Sequence, residues 1–437
     1  MTDHCGYIDA TRVRRRLVDL IRIPSVTGQE DAVIARLAEW LNELGVEVDH
    51  WNEGIADVLT DPNYPGHEVE RAWLPVVVGV VRGRKPGPTV VLTGHLDVVP
   101  PGDINQWTMD PYSGYMDGDT VYGRGASDMK SGVVSALEAF EAFALGPRDF
   151  AGRVVFVGVP AEEDSGLGTL AAIRRGWQPD AVVVPEPTLD DEGSPKLVVA
   201  HAGAMSFFLE VMGLAAHASR RHLGESALDH YLAIHKALRE DEKRINDAED
   251  HPLMRALHLP YATNVGLING GNWSSSVMDR LTAEIRVGVT LDETVEQAKA
   301  RIQRVIAEAC AGDPWLEQNP PQARLMASGF GSAHTPMEHP LVTTMADAAA
   351  SVFGRPARIT GAPYGCDMSA WVRLTGASTV VYGPGDIDWA HSADERVSLE
   401  ATEKVAHVLV QATEKLLTFR PEELRLQDYG EGVTGGG

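Results

Sequence analysis

Apolar positions along this 437-residue chain recur with two different periods, and the switches between them mark out its elements. Residues 27–45, TGQEDAVIARLAEWLNELG, place apolar side chains at helical spacing, with Thr27 and Glu30 as a capping box and Gly45 as the stop. Short unbroken apolar runs follow at 74–81 (LPVVVGVV) and 89–94 (TVVLTG). The stretch 131–145 predicts a helix with Ser131 near its N-cap, and 153–160 and 180–187 predict two more strands. Buried strands alternating with amphipathic helices define an α/β fold with a mostly parallel sheet covered on both faces.

The period changes after about residue 202. Segment 204–213, AMSFFLEVMG, alternates like a half-exposed strand. A helix at about 225–240 follows, then strands near 261–268 and 279–289, a helix at about 292–310, and a strand near 323–328. That order, βαββαβ, is the ferredoxin-like arrangement. From His339 the α/β style resumes with a helix, the strand 378–383 and a helix near 399–418. The chain is also too long for one ordinary core. The expected organisation is a discontinuous α/β domain, 1–202 and 332–437, carrying an inserted domain at 203–331. The closing residues, GEGVTGGG, read as a flexible tail.

Charge narrows the partners. Lys and Arg number 38 against 62 Asp and Glu, a net charge of −24 with no long basic run, so neither nucleic acid nor an anionic membrane is an expected partner. No stretch approaches the ~20 apolar residues of a membrane span, and the first residues lack the apolar centre of a signal peptide. The cysteines, Cys5, Cys310 and Cys366, are few and scattered, which fits a reducing, cytoplasmic setting and excludes a cysteine-based zinc ribbon. Any metal must be held by His, Asp and Glu.

Those residues share a location before they share a chemistry. Ligands of open α/β sheets bind at the carboxyl ends of strands. His95 and Asp97 follow one predicted strand, Glu162 and Glu163 the next, Glu186 a third, and His391 a fourth; Asp128 lies in the Gly-rich loop 123–132 ahead of a helix. Singly, each has an ordinary reading: a His-x-Asp pair is a structural hydrogen bond, and adjacent glutamates are a solvated face. Gathered on one rim, the carboxylates would repel and raise one another's pKa unless cations intervened. Too few Lys or Arg stand nearby. Two histidines and three carboxylates, one of them shared, suit a pair of zinc-like ions about 3.5–4 Å apart. His95 then reads as a ligand, with Asp97 behind it as the acceptor that fixes its tautomer.

The motifs GHLDVVP, DPYSGYMDGDTVYGRGASDMKSG, AEEDSGLGT, PEPT, GLAAHAS and WAHSADERV run in order across residues 10–418. The chain thereby resembles the M20 metallopeptidase/deacylase family, which includes acetylornithine deacetylase, succinyl-diaminopimelate desuccinylase, aminoacylase-1 and glutamate carboxypeptidase. The resemblance implies that His95 and Glu186 hold one metal, Glu163 and His391 the other, and Asp128 both, with a cis Asp128–Met129 peptide. It implies Glu162 as general base, Asp97 as the aspartate behind His95, and His217 as the residue that closes over the site and stabilises an oxyanion. Arg286 would bind a substrate carboxylate and Gly365 would offer a backbone contact. The metals implied are two divalent ions, Zn2+ first, with Co2+ or Mn2+ also accepted, in a homodimer formed through the inserted domain.

Two departures bear on substrate. Where much of the family has Asn-Val-x-Pro after a Gly-Gly, segment 270–279, GGNWSSSVMD, has Ser275 and Met278, the form of acetylornithine deacetylase-like members. Position 186 is Glu, as in deacylating members, where peptidases carry Asp. Both lean towards removal of an N-acyl group from an amino acid or small amine. A metallo-di- or carboxypeptidase is the alternative, and a non-catalytic metal-binding member the third reading.

Overall fold

A computed structural model describes residues 4–190 and 192–427. The expected tail, 430–437, lies outside the described residues. The chain divides into two compact units: one comprises the residues up to Ala200, His334–Thr360 and those from Cys366, and the other is His201–Ala333 with Gly361–Gly365.

The first unit opens with α1 (Ala10–Arg22), α2 (Asp31–Glu43), β1 (Glu47–Gly54), β2 (Trp73–Arg82) and β3 (Lys85–His95). It continues through α3 (Ser131–Leu145), β4 (Ala151–Val159), α4 (Leu167–Arg174), β5 (Ala181–Pro187) and β6 (Lys196–His201). The second unit contributes β7 (Gly203–Met212), α5 (Ala227–Ala248), β8 (Thr263–Gly270), β9 (Arg280–Val289), α6 (Val295–Cys310) and β10 (Gln322–Phe330). Helices α7 (Pro340–Phe353) and α8 (Met368–Thr375), strand β11 (Ser378–Gly383) and helix α9 (Leu399–Leu416) complete the first.

In the large sheet the strands run β1-β2-β4-β3-β5-β11-β6. The four central strands, β4, β3, β5 and β11, are parallel, whereas β1, β2 and β6 pair antiparallel on the flanks. The sheet is therefore mixed, with its parallel part at the centre. That centre is made of side chains such as Val90, Val91, Leu92, Val155, Phe156, Val182 and Val381, all essentially inaccessible. Each contributes about 1.5–3 kcal/mol by leaving water. Parallel strands end together, so His95, Val159, Pro187 and Gly383 share one rim.

Helix α3 is buried along almost its whole length and presses against β5 so closely that a Cβ on Gly132 would sit 1.8 Å from the Pro185 carbonyl oxygen. Its buried Glu138 and Glu141 pair with Arg12 and Arg16 of α1 at 2.6–3.0 Å. One helix start differs from expectation. Thr27 and Glu30 form no capping box: the Thr27 hydroxyl donates to Asp97, while Glu30 accepts the Gly28 N–H and pairs with Arg71. At α3 Ser131 stands next to the cap position, as expected; the cap itself is Lys130, without a side-chain cap bond.

In the second unit the sheet order β8-β9-β7-β10 is antiparallel throughout. Alternate residues Met205, Phe207, Leu209 and Val211 of β7, and Leu281, Ala283, Ile285 and Val287 of β9, form one face of its core. Tyr231, Ile234 and Leu238 of α5 and Ala298, Ile302 and Ile306 of α6 cover that face. Period-2 strands under period-3.6 helices make the βαββαβ layer.

Candidate metal centre

The rim of the parallel strands gathers two clusters of ligand atoms. In the first, His95 Nε2 lies 3.3 Å from Asp128 Oδ1 and 3.3 Å from Glu186 Oε1. In the second, His391 Nε2 lies 3.4 Å from Asp128 Oδ2 and 3.0 Å from Glu163 Oε2. Asp128 thus offers one oxygen to each triad, and within each triad the donor atoms lie inside 4.8 Å of one another. A tetrahedral cation with bonds of about 2.0–2.1 Å holds its donors about 3.3 Å apart, so these spacings fit zinc-like ions. Glu162 belongs to neither triad; its Oε2 stands 3.9 Å from His95 Nε2.

Local backbone explains how adjacent glutamates serve different places. Ala161 takes φ 61°, in the left-handed region, and turns the chain sharply before Glu162 and Glu163. Asp97 then pins that turn: its two carboxylate oxygens accept the N–H groups of Glu162 at 3.1 Å and Glu163 at 3.0 Å. The expected contact to His95 is made differently. The Asp97 backbone carbonyl, 3.0 Å from His95 Nδ1, is the hydrogen-bond acceptor, and the nearer carboxylate oxygen is 3.6 Å away. The tautomer with Nδ1–H, which leaves Nε2 for a ligand role, is fixed by main chain.

The Asp128–Met129 peptide is cis. The loop bearing Asp128 is held by Glu395, a fully buried residue that motif reading left without a role. Its carboxylate accepts the N–H groups of Gly125 (3.0 Å), Ser127 (2.8 Å) and Asp128 (2.9 Å), and the guanidinium of Arg124 at 2.7 Å. Burial pushes Glu395 up to about 7, against the pull of those N–H groups and Arg124. All four partners are donors, so a protonated carboxyl would have nothing here to donate to, and the geometry is that of the anion. A second unassigned acid is Asp367. It occupies the N-cap of α8 yet makes no cap bond, and burial pushes it up to about 7. Its charge in turn raises Glu162. An acid ahead of a helix reads from sequence as a cap, which concealed it.

The electrostatics describe a centre that lacks positive charge. Burial, with help from Asp128, pushes Glu186 up to about 8 against the pull of His95. Burial also raises Glu162 and Glu163. Burial would raise Asp128 too, but hydrogen bonds and charge from the two imidazoles hold it below the usual carboxylate range. Hydrogen bonds to Asp128 and Glu163 drive His391 up to about 10. Divalent cations bound to these atoms would take the place of protons shared between the imidazoles and the carboxylates.

Three expected residues belong to the second unit. The Ser219 N–H donates to His217 Nδ1 at 3.2 Å, which places the proton of the neutral ring on Nε2. Arg286 of β9 is half-buried with no ion pair among the described residues, and burial lowers its pKa. Gly365 is required by close packing: a Cβ there would lie 2.5 Å from Phe330 Cβ.

A mixed α/β sheet whose rim joins two His-carboxylate triads through one aspartate is the architecture of a metallohydrolase. The sequence model of Peptidase family M20/M25/M40 matches residues 91–415, and the chain belongs to that family; it is a hydrolase of amide bonds. It is similar to N-formyl-4-amino-5-aminomethyl-2-methylpyrimidine deformylase of Bacillus subtilis (strain 168), with 26% identity over 403 residues, 88% of this chain and 87% of that protein. It is 30% identical over 302 residues to succinyl-diaminopimelate desuccinylase of Methylorubrum extorquens (strain PA1), covering 67% of this chain and 72% of the relative. The fold matches an M20 family metallo-carboxypeptidase, Sso-CP2 from Sulfolobus solfataricus, with a TM-score of 0.72 and 17% identity over 92% of this chain and 98% of that one. No helix among the described residues is long and apolar enough to cross a membrane.

Proposed function

We propose that the protein is a two-cation amidohydrolase that removes an acyl group from the nitrogen of an amino acid or related small amine. The observation that carries this reading is the pair of triads sharing Asp128, with Glu162 left outside both. His95 and Glu186 would hold one cation, Glu163 and His391 the other, and Asp128 both. Bound there, the cations would supply Lewis acidity to the amide carbonyl and to the attacking water. Zn2+ suits these mixed nitrogen and oxygen donors, and Co2+ and Mn2+ accept the same set.

The remaining work falls to this chain's own side chains. Glu162, its carboxyl raised by burial, takes a proton from the attacking water and returns it to the leaving nitrogen. Asp97 keeps Glu162 and Glu163 in register by holding their N–H groups. His217 donates from Nε2 to the oxyanion that develops on the carbonyl. Arg286, with no ion pair among the described residues, binds the carboxylate of the amino-acid part through its two-pronged guanidinium. In this reading 203–331 is the lid, Gly365 offers the substrate a backbone contact, and the lid also joins two copies through edge strand β8, where Leu267 and Ile268 are 54% and 50% exposed.

Deacylation is favoured over peptide cleavage by Glu186, by the 270–278 segment GGNWSSSVM, and by two relatives whose names are deformylase and desuccinylase. The test is Glu162→Gln, loaded with Zn2+, Co2+ or Mn2+ and assayed on a panel of N-acyl amino acids and dipeptides. Both metal equivalents should remain while kcat falls about 10²–10⁴-fold. Loss of metal along with turnover would make Glu162 a ligand and overturn the assignment. Wild-type protein that cleaves dipeptides far faster than N-acyl amino acids would establish the peptidase reading.

A further inference from the structure

The first unit holds a cavity of about 920 Å³ that no step of the proposed reaction uses. It lies at the amino-terminal edge of the sheet, where Lys85 begins β3 and Ala151 begins β4. His95 ends the same strand β3, so the two sites are separated by about 30 Å of strand. The volume falls within the usual range for small-molecule pockets, about 300–1,000 Å³.

Its walls combine an apolar body with uncommitted positive charge. The half-buried rings of Phe150 and Phe419 line the cavity with Leu417; Phe143 meets Phe150 edge to face at 5.5 Å but is itself fully buried, its ring stacked against His4 at 4.4 Å. Five charged side chains face it, three cations and two anions. Both anions are engaged: Asp149 with Arg84 at 2.7 Å, and Glu414 with His4 Nδ1 at 2.5 Å and the His4 N–H at 3.1 Å. Of the cations, Arg420 is held by Glu422 and Glu423 at 3.2 Å. Lys85 and Lys415 have no ion pair among the described residues; the Lys415 ammonium stands 5.6 Å from the Phe419 ring centre. Two lysines without an ion pair on one cavity, one of them beside an aromatic ring, stand out in a chain of net charge −24.

We propose that this cavity is a second binding site, for a small organic anion whose carboxylate meets Lys85 and Lys415 while an aromatic body packs on Phe150 and Phe419. The bound carboxylate replaces the counter-ion that neither lysine has, and the ring exchanges water for an aromatic wall.

Calorimetric titration of the full-length, metal-loaded protein with indole-3-acetate and 3-phenylpropionate tests this. Saturable binding with an affinity of about millimolar or better is expected, weakened at least about tenfold for the neutral 3-phenylpropionamide. The double variant Lys85→Glu/Lys415→Glu should lose at least about tenfold in affinity. Its turnover should match wild type, because neither lysine belongs to the metal centre. Because these carboxylates could also seek the cations, the titration is repeated on His391→Ala, where binding should persist. Absence of saturable binding, equal affinity in the double variant, or loss of binding in His391→Ala alone would each overturn the proposal.

Discussion

Replacing Glu395 with Gln changes one oxygen to an amide nitrogen and leaves size and shape intact. The consequences follow from the four donors that surround the carboxylate. One oxygen accepts from Ser127 and Asp128, and the other from Gly125 and Arg124. In whichever sense the amide is placed, its NH2 group faces two donors. If the oxygen stays with Ser127 and Asp128, the buried Arg124 loses its counter-ion, a change that costs about 3–5 kcal/mol when nothing else helps. Arg124 retains longer bonds to the carbonyls of Pro100, His391 and Ser392 at 3.2–3.4 Å and sits 5.2 Å from the Trp107 ring. These contacts bring the expected loss down to about 2–4 kcal/mol. In the opposite placement the Asp128 N–H is orphaned and the residue proposed to serve both cations loses its anchor. Either way, metal affinity should fall about 10–100-fold, the usual effect of removing a partner that orients a ligand. Competition with a chromophoric chelator measures the affinity, and a thermal melt of the metal-free protein measures the stability term separately. Glu395→Asp keeps the charge and should recover part of the affinity. Wild-type metal affinity in Glu395→Gln, with an unchanged melt, would refute the idea that this carboxylate positions Asp128.

Other outcomes are equally definite. Arg286→Met should raise KM about 10–100-fold for substrates with a free carboxylate and leave their amides unaffected, as read from paired initial-rate measurements. Burial lowers His339 from 6.5 to about 4, so the unfolded chain takes up its proton first as pH falls. The stability attached to this residue is complete above 6.5 and drains away towards about 4. His339→Asn keeps an acceptor for the Leu341 N–H and should flatten the melting temperature across that window; an unchanged slope would count against it. If β8 joins two copies, Leu267→Glu/Ile268→Lys should shift the sedimentation coefficient to that of a monomer.

What could be read directly from the chain was whatever a local period encodes. The central strands are uniformly apolar because both faces are covered, and β7 and β9 alternate because only one is. Strand β1, EVDHWNEG, escaped notice because it lies at the edge with mostly half-exposed side chains and so carries no apolar signature. Helix α1 was missed for a different reason. Part of its buried face is Arg16, paired with acids more than a hundred residues away, and charged letters conceal a buried position. Thr27 and Glu30 have the letters of a capping box, but tertiary partners claimed both side chains. At the candidate metal centre, the residues that the structure gathers adjoin strand ends, and position alone singles them out in the sequence. Glu395 and Asp367 were not, since one acts through backbone N–H groups of a distant loop and the other through burial.

The turn at Ala161 has a further consequence. Consecutive α-carbons are held about 3.8 Å apart, so the proposed proton carrier at 162 and the proposed cation ligand at 163 can never separate. A backbone movement wide enough to displace one displaces its neighbour, and Asp97 holds the N–H groups of both. On the proposed reading, main-chain displacement at this turn would therefore cost the centre its base and one cation ligand together, leaving side-chain rotation as the one way to move Glu162 alone.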